Sequence, residues 1–157
     1  RGLGDVYKRQ VSLHRVLNEI GSAQRINMRE GVELLLDLPG QEVTVYTDSA
    51  RLSQVINNLV NNAIKFTSEG NIRIGYRPAA SGYVNIFVED TGTGMSREVL
   101  EHIFDRFYKG DSFKQGTGLG LSICKTIVKR FEGKIEVTST PGKGTCFTIT
   151  LPLKVEE

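Results

Sequence analysis

The chain has 157 residues, of which 39% are hydrophobic and 24% charged, so it is long enough to bury a core and too apolar for a disordered protein. The 20 basic and 18 acidic residues leave a net charge of +2, which excludes a broad basic surface for nucleic acid. The sequence has no apolar run long enough to cross a membrane, no signal-peptide pattern and two cysteines without metal-ligand spacing. These features predict a cytoplasmic domain with free thiols and no nucleic-acid partner.

The first 47 residues are predicted to contain a leader, a helix and two strands. Residues 1–10 (RGLGDVYKRQ) have no apolar period and are interpreted as a non-native or disordered leader, although an ordinary frayed terminus would look the same; the domain would then span residues 11–157. From Ser12 apolar residues recur at helical spacing, and Gly21 weakens or ends this helix. GVELLLDL and EVTVYT flank a Pro-Gly turn and are predicted to pair as a hairpin.

The middle of the chain gives the clearest helix. Asp48 is placed to cap a helix whose apolar residues follow the 3.6-residue period to about Phe66. NIRIGYR and YVNIFVED flank a PAASG turn, and alternation in the second segment predicts a strand that ends at Asp90. We expect these two strands to pair.

The C-terminal part begins with a glycine-punctuated region, residues 92–120, that contains a short helix at about 97–104. A helix over 119–131 follows, with Gly133 as its C-cap, and KIEVTST and TCFTITLPL form a closing hairpin. Hairpins interleaved with helices favour an α+β fold. We predict a two-layer α/β sandwich with a mixed, mostly antiparallel sheet of about five strands and about three helices on one face.

One edge of the central helix carries amide and basic side chains. Asn58 and Asn62 lie one turn apart, and Lys65 shares their edge. Asparagine is not a favoured helix former, so this edge suits the wall of a ligand site. A solvated helix flank would produce the same pattern.

Two glycine-rich segments could also contact a ligand. In DTGTGM, Asp90 ends an apolar strand and the following glycines allow close approach of the backbone, although a turn explains this segment about as well. In GTGLGLS, residues 116–122, the glycines precede a helix and free backbone amides to face phosphate. The spacings of the Walker A, dinucleotide-binding, zinc-protease and hydrolase motifs are all missing.

The order of these segments resembles a known family. NNLVNNAIKF, DTGTGM, IFDRFYKGD, GTGLGLSI and GKGTCFTITLPL are similar to the N, G1, F and G2 boxes and the closing hairpin of the ATP-binding catalytic domain of sensor histidine kinases, in the GHKL superfamily. The resemblance covers about residues 12–153. It implies a Bergerat fold, in which ATP lies between the N-box helix and a flexible ATP lid, here about residues 95–115.

The resemblance also implies roles for single residues. Asn62 would hold the Mg²⁺ that bridges the ATP phosphates, Asn58 would line the same site and Lys65 would face phosphate; these three are the implied catalytic residues. Asp90 would accept a hydrogen bond from the adenine amino group, with Thr145 as a water-linked second contact. The other implied nucleotide-binding residues are Gly92, Gly94, Phe107, Lys109, Gly116, Thr117, Gly118, Leu119, Gly120 and Leu121. Of these, Lys109 is better explained as an exposed lysine of the lid. Phe104 and Phe107 match the F box and would pack the lid, although ordinary core aromatic residues fit the pattern as well and do not exclude that role.

Two departures from the family pattern define the expected activity. The phospho-accepting histidine of the family lies in a separate dimerisation domain, and neither His14 nor His102 matches its motif, so that domain is missing here. Asn58 takes the place of the glutamate base of superfamily ATPases, and an amide cannot take a proton from water. We expect a phosphoryl donor with suppressed hydrolysis that is inactive alone.

The leading hypothesis is the catalytic fragment of a two-component sensor kinase, an ATP phosphotransferase. It would pass the γ-phosphoryl of Mg²⁺·ATP to a histidine, and a response regulator receiver domain would be the next acceptor. A nucleotide-sensing module without chemistry and an anti-sigma-type serine kinase remain alternatives. The isolated fragment is expected to be a monomer, and a longer parent protein could be anchored in a membrane.

Overall fold

The computed structural model describes residues 7–106 and 120–153. Within these residues the elements are β1 (Arg9–Ser12), α1 (Leu13–Gln24), β2 (Val32–Asp37), β3 (Thr44–Thr47), α2 (Ser49–Phe66), β4 (Gly70–Ala79), β5 (Tyr83–Asp90), α3 (Arg97–His102), α4 (Gly120–Arg130), β6 (Lys134–Thr140) and β7 (Gly144–Pro152). None of the described helices combines the length and the apolar character that crossing a membrane requires.

Five strands form one mixed sheet in the order β2-β4-β5-β7-β6. Only β2 and β4 are parallel; the other neighbours are antiparallel. Every second residue of the three central strands is buried, on the face against which α1, α2 and α4 pack. These core residues are Ile72, Ile74, Tyr76, Val84, Ile86, Val88, Phe147, Ile149 and Leu151. The predicted α+β sandwich is confirmed.

The prediction that β2 and β3 pair as a hairpin is wrong. β2 instead pairs with β4 in parallel, and β3 pairs with β1 in a separate two-stranded sheet. Two hydrogen bonds hold the segment before β3 near β4 and α1: Val43 N–H donates to Tyr76 Oη over 3.1 Å, and Leu13 N–H donates to Val43 O over 3.0 Å. The Pro-Gly segment therefore connects two sheets.

Strand pairing begins two residues before the predicted start of the domain at residue 11. Arg9 and Gln10 belong to β1, where they are register partners of Thr47 and Tyr46. The short, polar sequence of β1 gives no periodic signal, since only Val11 of its four residues is buried.

Two helix ends differ from their predictions for reasons of packing. α1 continues through Gly21, where a Cβ atom would lie 3.2 Å from the Leu36 side chain, so this glycine allows close contact with β2 and does not end the helix. After α4, the left-handed residue is Glu132 (φ 62°), and Gly133 is not the C-cap of the prediction. A Cβ atom at Gly133 would lie 2.3 Å from Thr150 O, which requires glycine there.

Candidate functional site

The DTGTGM segment lies between the end of α2 and the β6–β7 hairpin, and hydrogen bonds join it to both. Thr93 N–H donates to Phe66 O over 3.0 Å, and Gly142 N–H, in the hairpin turn, donates to Thr93 O over 2.7 Å. Met95 N–H donates to Ser139 Oγ over 2.8 Å. The strand-end carboxylate, the asparagine-rich helix and the closing hairpin therefore meet at one edge of the sheet.

Asp90 is buried at this edge, with 5% of its surface exposed. Its Oδ1 accepts a hydrogen bond from Gly92 N–H over 2.9 Å. Burial raises the pKa of the Asp90 carboxyl, while backbone hydrogen bonds from Gly92 and Thr145 lower it. No salt bridge engages Asp90 within the described residues. Burying a carboxylate without a cationic partner costs free energy, and Asp90 therefore stands out among the buried residues of this structure.

Two glycines of the segment are required by the protein's own backbone. At Gly92 a Cβ atom would lie 2.1 Å from Phe66 O. Gly94 has φ +74°, and a Cβ atom there would lie 2.1 Å from Thr140 O. The family resemblance implies that Gly94 contacts the nucleotide; the structure supplies a further reason for glycine, since the loop and the hairpin are too close for any side chain.

The amide edge of α2 faces the beginning of α4. Asn58 Nδ2 donates to Gly120 O over 3.4 Å, which joins the N-box helix to the end of the GTGLGLS segment. Asn62, one turn later, is buried with 9% exposed, whereas Lys65 is exposed and its Nζ lies 6.0 Å from the centre of the Phe66 ring. Gly120 and Leu121 form the first turn of α4, where backbone N–H groups and the helix dipole favour an anion.

The side chains at this edge suit a cation that is bound together with a phosphate-containing ligand. The Asn62 amide oxygen is the hard donor type that Mg²⁺ prefers, and Mg²⁺ keeps several waters while binding one or two protein oxygens plus phosphates. In the described part of the chain, no cluster of three or more His, Cys, Asp or Glu could hold a metal ion by itself. The donor set suits a nucleotide-bound Mg²⁺ and not a dedicated metal centre.

Several predicted residues lie outside the described residues. They are Phe107, Lys109, Gly116, Thr117, Gly118 and Leu119, together with residues 107–115 of the predicted lid. The first F-box aromatic residue, Phe104, is described: its ring meets Phe147 edge to face with centroids 6.2 Å apart, and Lys125 Nζ lies 5.5 Å from its centre. Phe104 therefore packs against the core, which is compatible with a further role in packing the lid.

Two polar residues that the sequence does not single out belong to the same edge. Thr67 is fully buried beside Asp90, and its Oγ1 has no hydrogen-bond partner among the residues described. Ser139 Oγ lies 2.8 Å from Thr145 Oγ1 and connects Thr145 to the DTGTGM loop. A threonine directly after an amphipathic helix was the only signal for Thr67; Ser139 becomes visible only once the β6–β7 register is known.

Both histidines have partners that suit structural roles. His14, on α1, forms a hydrogen bond through Nδ1 with the buried Tyr76 hydroxyl and meets that ring edge to face. His102 Nδ1 lies 2.8 Å from Asp105 Oδ2 at the end of α3. Neither contact involves the amide edge of α2.

The sequence matches a known protein family and named sensor proteins. Residues 47–155 match the family model described as histidine kinase-, DNA gyrase B-, and HSP90-like ATPase. The chain is 40% identical over 152 residues to the adaptive-response sensory kinase SasA of Crocosphaera subtropica, which covers 94% of this chain and 40% of that protein. It is 46% identical over 110 residues to the sensor protein SrrB of Staphylococcus aureus, which covers 67% of this chain and 19% of that protein. The chain thus spans less than half the length of these curated relatives.

The fold is similar to solved structures as well. Full-length ShkA in complex with AMPPNP matches with a TM-score of 0.87 and 27% identity, over 95% of this chain and 32% of that chain. The nucleotide-free catalytic domain of histidine kinase ThkA matches with a TM-score of 0.83 and 29% identity, over 94% of this chain and 96% of that one. Both matches extend over nearly all of this chain.

Proposed function

Because the chain belongs to the family of histidine kinase-, DNA gyrase B- and HSP90-like ATPases, as an ATP-binding domain of the sensor histidine kinase type, we propose that it binds Mg²⁺·ATP and donates the γ-phosphoryl group to a histidine. The acceptor histidine would lie on a separate dimerisation domain, and an aspartate of a response regulator receiver domain would accept the group next. Since its phosphoryl donor is ATP, we expect this domain to act in the cytoplasm.

The buried Asp90 carboxylate is the observation that carries the proposal. Its Oδ1 is held by Gly92 N–H, and Thr145 stands opposite it in the sheet. A fixed carboxylate at the rim accepts hydrogen bonds and offers none, so it favours a base with an exocyclic amino group. Adenine presents an amino group at this position and guanine a carbonyl oxygen. We therefore assign Asp90 to adenine recognition and expect discrimination against GTP.

The amide edge of α2 would meet the phosphates. Asn62 would hold the Mg²⁺, which neutralises phosphate charge when bound, while Asn58 and Lys65 would orient and neutralise the phosphate oxygens. Asn58 is already in contact with the first turn of α4, whose N–H groups would face the same anion. The lone pair of an acceptor imidazole nitrogen would form the N–P bond as the bond from the γ-phosphorus to the ADP oxygen breaks. The imidazolium would then release its other N–H proton to solvent.

Water is a poor acceptor of the phosphoryl group in this arrangement. A water molecule needs a base to lose its proton as it attacks, and an asparagine amide offers no basic group at pH 7. Asn58 therefore favours transfer to an imidazole, which attacks through an existing lone pair. This chemistry matches a kinase better than an ATPase.

The decisive experiment supplies a histidine-bearing dimerisation domain together with γ-labelled ATP. Acid-labile label on that domain, present with the wild-type chain and lost with Asp90→Asn, supports the proposal. ATP binding without any transfer would favour the nucleotide-sensing module, and acid-stable label on a protein substrate would favour the serine kinase. A chain that binds GTP as tightly as ATP would contradict the assignment of Asp90.

A further inference from the structure

We propose that Thr67 is a positioning residue for base recognition: its buried hydroxyl group holds the Asp90 carboxylate in the orientation in which that carboxylate accepts a hydrogen bond from the exocyclic amino group of the nucleotide. This inference rests on the proposed function, because it concerns the same site. It adds a residue from the end of α2 to a recognition element otherwise formed by β5 and its loop.

The position of Thr67 is fixed by its neighbours. It follows α2 directly, and its N–H donates to Ile64 O over 3.4 Å as the helix ends. Its Oγ1 lies 2.8 Å from the point that a Cβ atom at Gly92 would occupy. Because Gly92 N–H donates to Asp90 Oδ1 over 2.9 Å, the hydroxyl, the glycine and the carboxylate form one cluster.

The Thr67 hydroxyl is exceptional in this protein. Throughout residues 7–106 and 120–153 it is the only buried side-chain nitrogen or oxygen atom without a hydrogen-bond partner. Folded proteins pair nearly all such atoms, since an unpaired buried hydroxyl loses its bonds to water and gains none. Valine has almost the same shape and would fill the space without this penalty. A requirement for the hydroxyl group itself is therefore the better explanation, and the adjacent carboxylate is the group that it can serve.

The electrostatics agree with this geometry. Burial raises the pKa of Asp90, and the Thr67 side chain is among the groups that lower it, so the hydroxyl favours the charged form that accepts hydrogen bonds. The backbone donors to this carboxylate are Gly92 N–H and Thr145 N–H. A side-chain donor beside these two would further restrict the orientation of the carboxylate when the amino group of the base arrives.

The test compares two nucleotides that differ only in the group that Asp90 would recognise: ATP, and purine riboside triphosphate, whose base lacks the amino group. We expect the wild-type chain to prefer ATP. Thr67→Val should weaken ATP binding about three- to tenfold and leave the affinity for purine riboside triphosphate unchanged, since only one hydrogen-bonding group is removed. Thr67→Ser, which keeps the hydroxyl, should retain the preference. Thr47→Val is the matched control, because Thr47 is also buried but lies in β3.

The pH dependence of ATP affinity gives a second measurement. If Thr67 favours the ionised carboxylate, Thr67→Val should move the acidic fall in ATP affinity to higher pH, whereas a packing defect would leave its midpoint in place. Thr67→Ala serves as a second variant without the hydroxyl, should Thr67→Val fold poorly by circular dichroism.

The outcomes separate this inference from the proposed function. A wild-type chain that bound both nucleotides equally would refute base recognition by Asp90, and the role of Thr67 with it. A wild-type preference for ATP that survives unchanged in Thr67→Val would refute the role of Thr67 alone. Equal losses for both nucleotides would show that Thr67 only packs the site.

Discussion

Asp90 and Thr145 face each other across the antiparallel pair formed by β5 and β7, and both are buried. The Thr145 N–H lowers the pKa of the Asp90 carboxyl, and Thr145 Oγ1 lies 2.8 Å from Ser139 Oγ. The carboxylate thus rests against the closing hairpin, so that the proposed adenine recognition and the packing of the sheet would involve the same residues.

Replacing Asp90 by Asn should reduce ATP affinity without unfolding the chain. The hydrogen bond to a charged acceptor is lost, which at about 1.5–3 kcal/mol corresponds to a roughly 10- to 150-fold higher Kd. The amide oxygen can still accept from Gly92 N–H, so the fold should persist. Calorimetric titration with Mg²⁺·ATP and circular dichroism check both points. Unchanged affinity in a folded variant would remove Asp90 from the site.

The same substitution should have a pH-dependent effect on stability. Burial raises the pKa of Asp90 above its ordinary value of 3.8, so the folded state holds this proton more tightly than the unfolded state. The wild-type chain should therefore lose stability relative to Asp90→Asn as pH rises from 3.8 through the raised pKa, and the difference should be constant above it. Urea unfolding of both proteins between pH 4 and 8 measures this difference. A slope of the opposite sign would contradict the burial argument.

Cys124 should resist thiol reagents in the folded protein. It is fully buried, its Sγ lies 3.7 Å from Val55 O, and burial raises the pKa of its thiol to about 12. The reactive thiolate is therefore scarce at neutral pH. Cys146 is only partly buried, and burial raises its pKa as well, so it should react slowly but before Cys124. Iodoacetamide labelling followed by peptide mass spectrometry gives the order, with urea-unfolded protein as the control in which both react.

Gly94→Ala should destabilise the domain by about 2–4 kcal/mol, because a positive φ and a backbone clash act together. Its φ is +74°, and the added Cβ atom would lie 2.1 Å from Thr140 O. Gly40→Ala is the control, since no atom lies within 4 Å of a Cβ atom built there. The free energies of unfolding in denaturant should differ clearly between the two variants, and equal values would mean that the loop can move away from the hairpin at little cost.

The wild-type chain should hydrolyse ATP slowly, because Asn58 supplies no base. Asp90→Asn, which should bind ATP more weakly, serves as the background control. At ATP concentrations that saturate the wild-type chain, the two proteins should release phosphate at similar rates. Rapid hydrolysis that depends on Asp90 would contradict the proposed role of Asn58 and would require a base elsewhere.

The parts of the fold predicted correctly are those in which local pattern and tertiary packing agree. Asp48 caps α2 by accepting hydrogen bonds from Ala50 N–H and Arg51 N–H over 3.1 and 3.2 Å, as its place before an apolar period indicates. The predicted β2–β3 hairpin is wrong because local turn chemistry says nothing about β4, the partner of β2 that follows β3 and α2 in the chain. Thr67 escaped notice because its importance lies in a missing hydrogen bond, which no sequence pattern displays.

The sheet order also affects how the domain folds and how it can vary. β5 and β7 are neighbours, although α3, residues 107–119, α4 and β6 come between them in the chain. Pairing of these strands closes a long loop, which slows folding. The entropic penalty of closure grows only logarithmically, by roughly 0.6 kcal/mol for each doubling of a flexible loop. Insertions between α3 and α4 should therefore lower the equilibrium stability little, and evolution can alter the length of this segment while Asp90 and Thr145 remain paired.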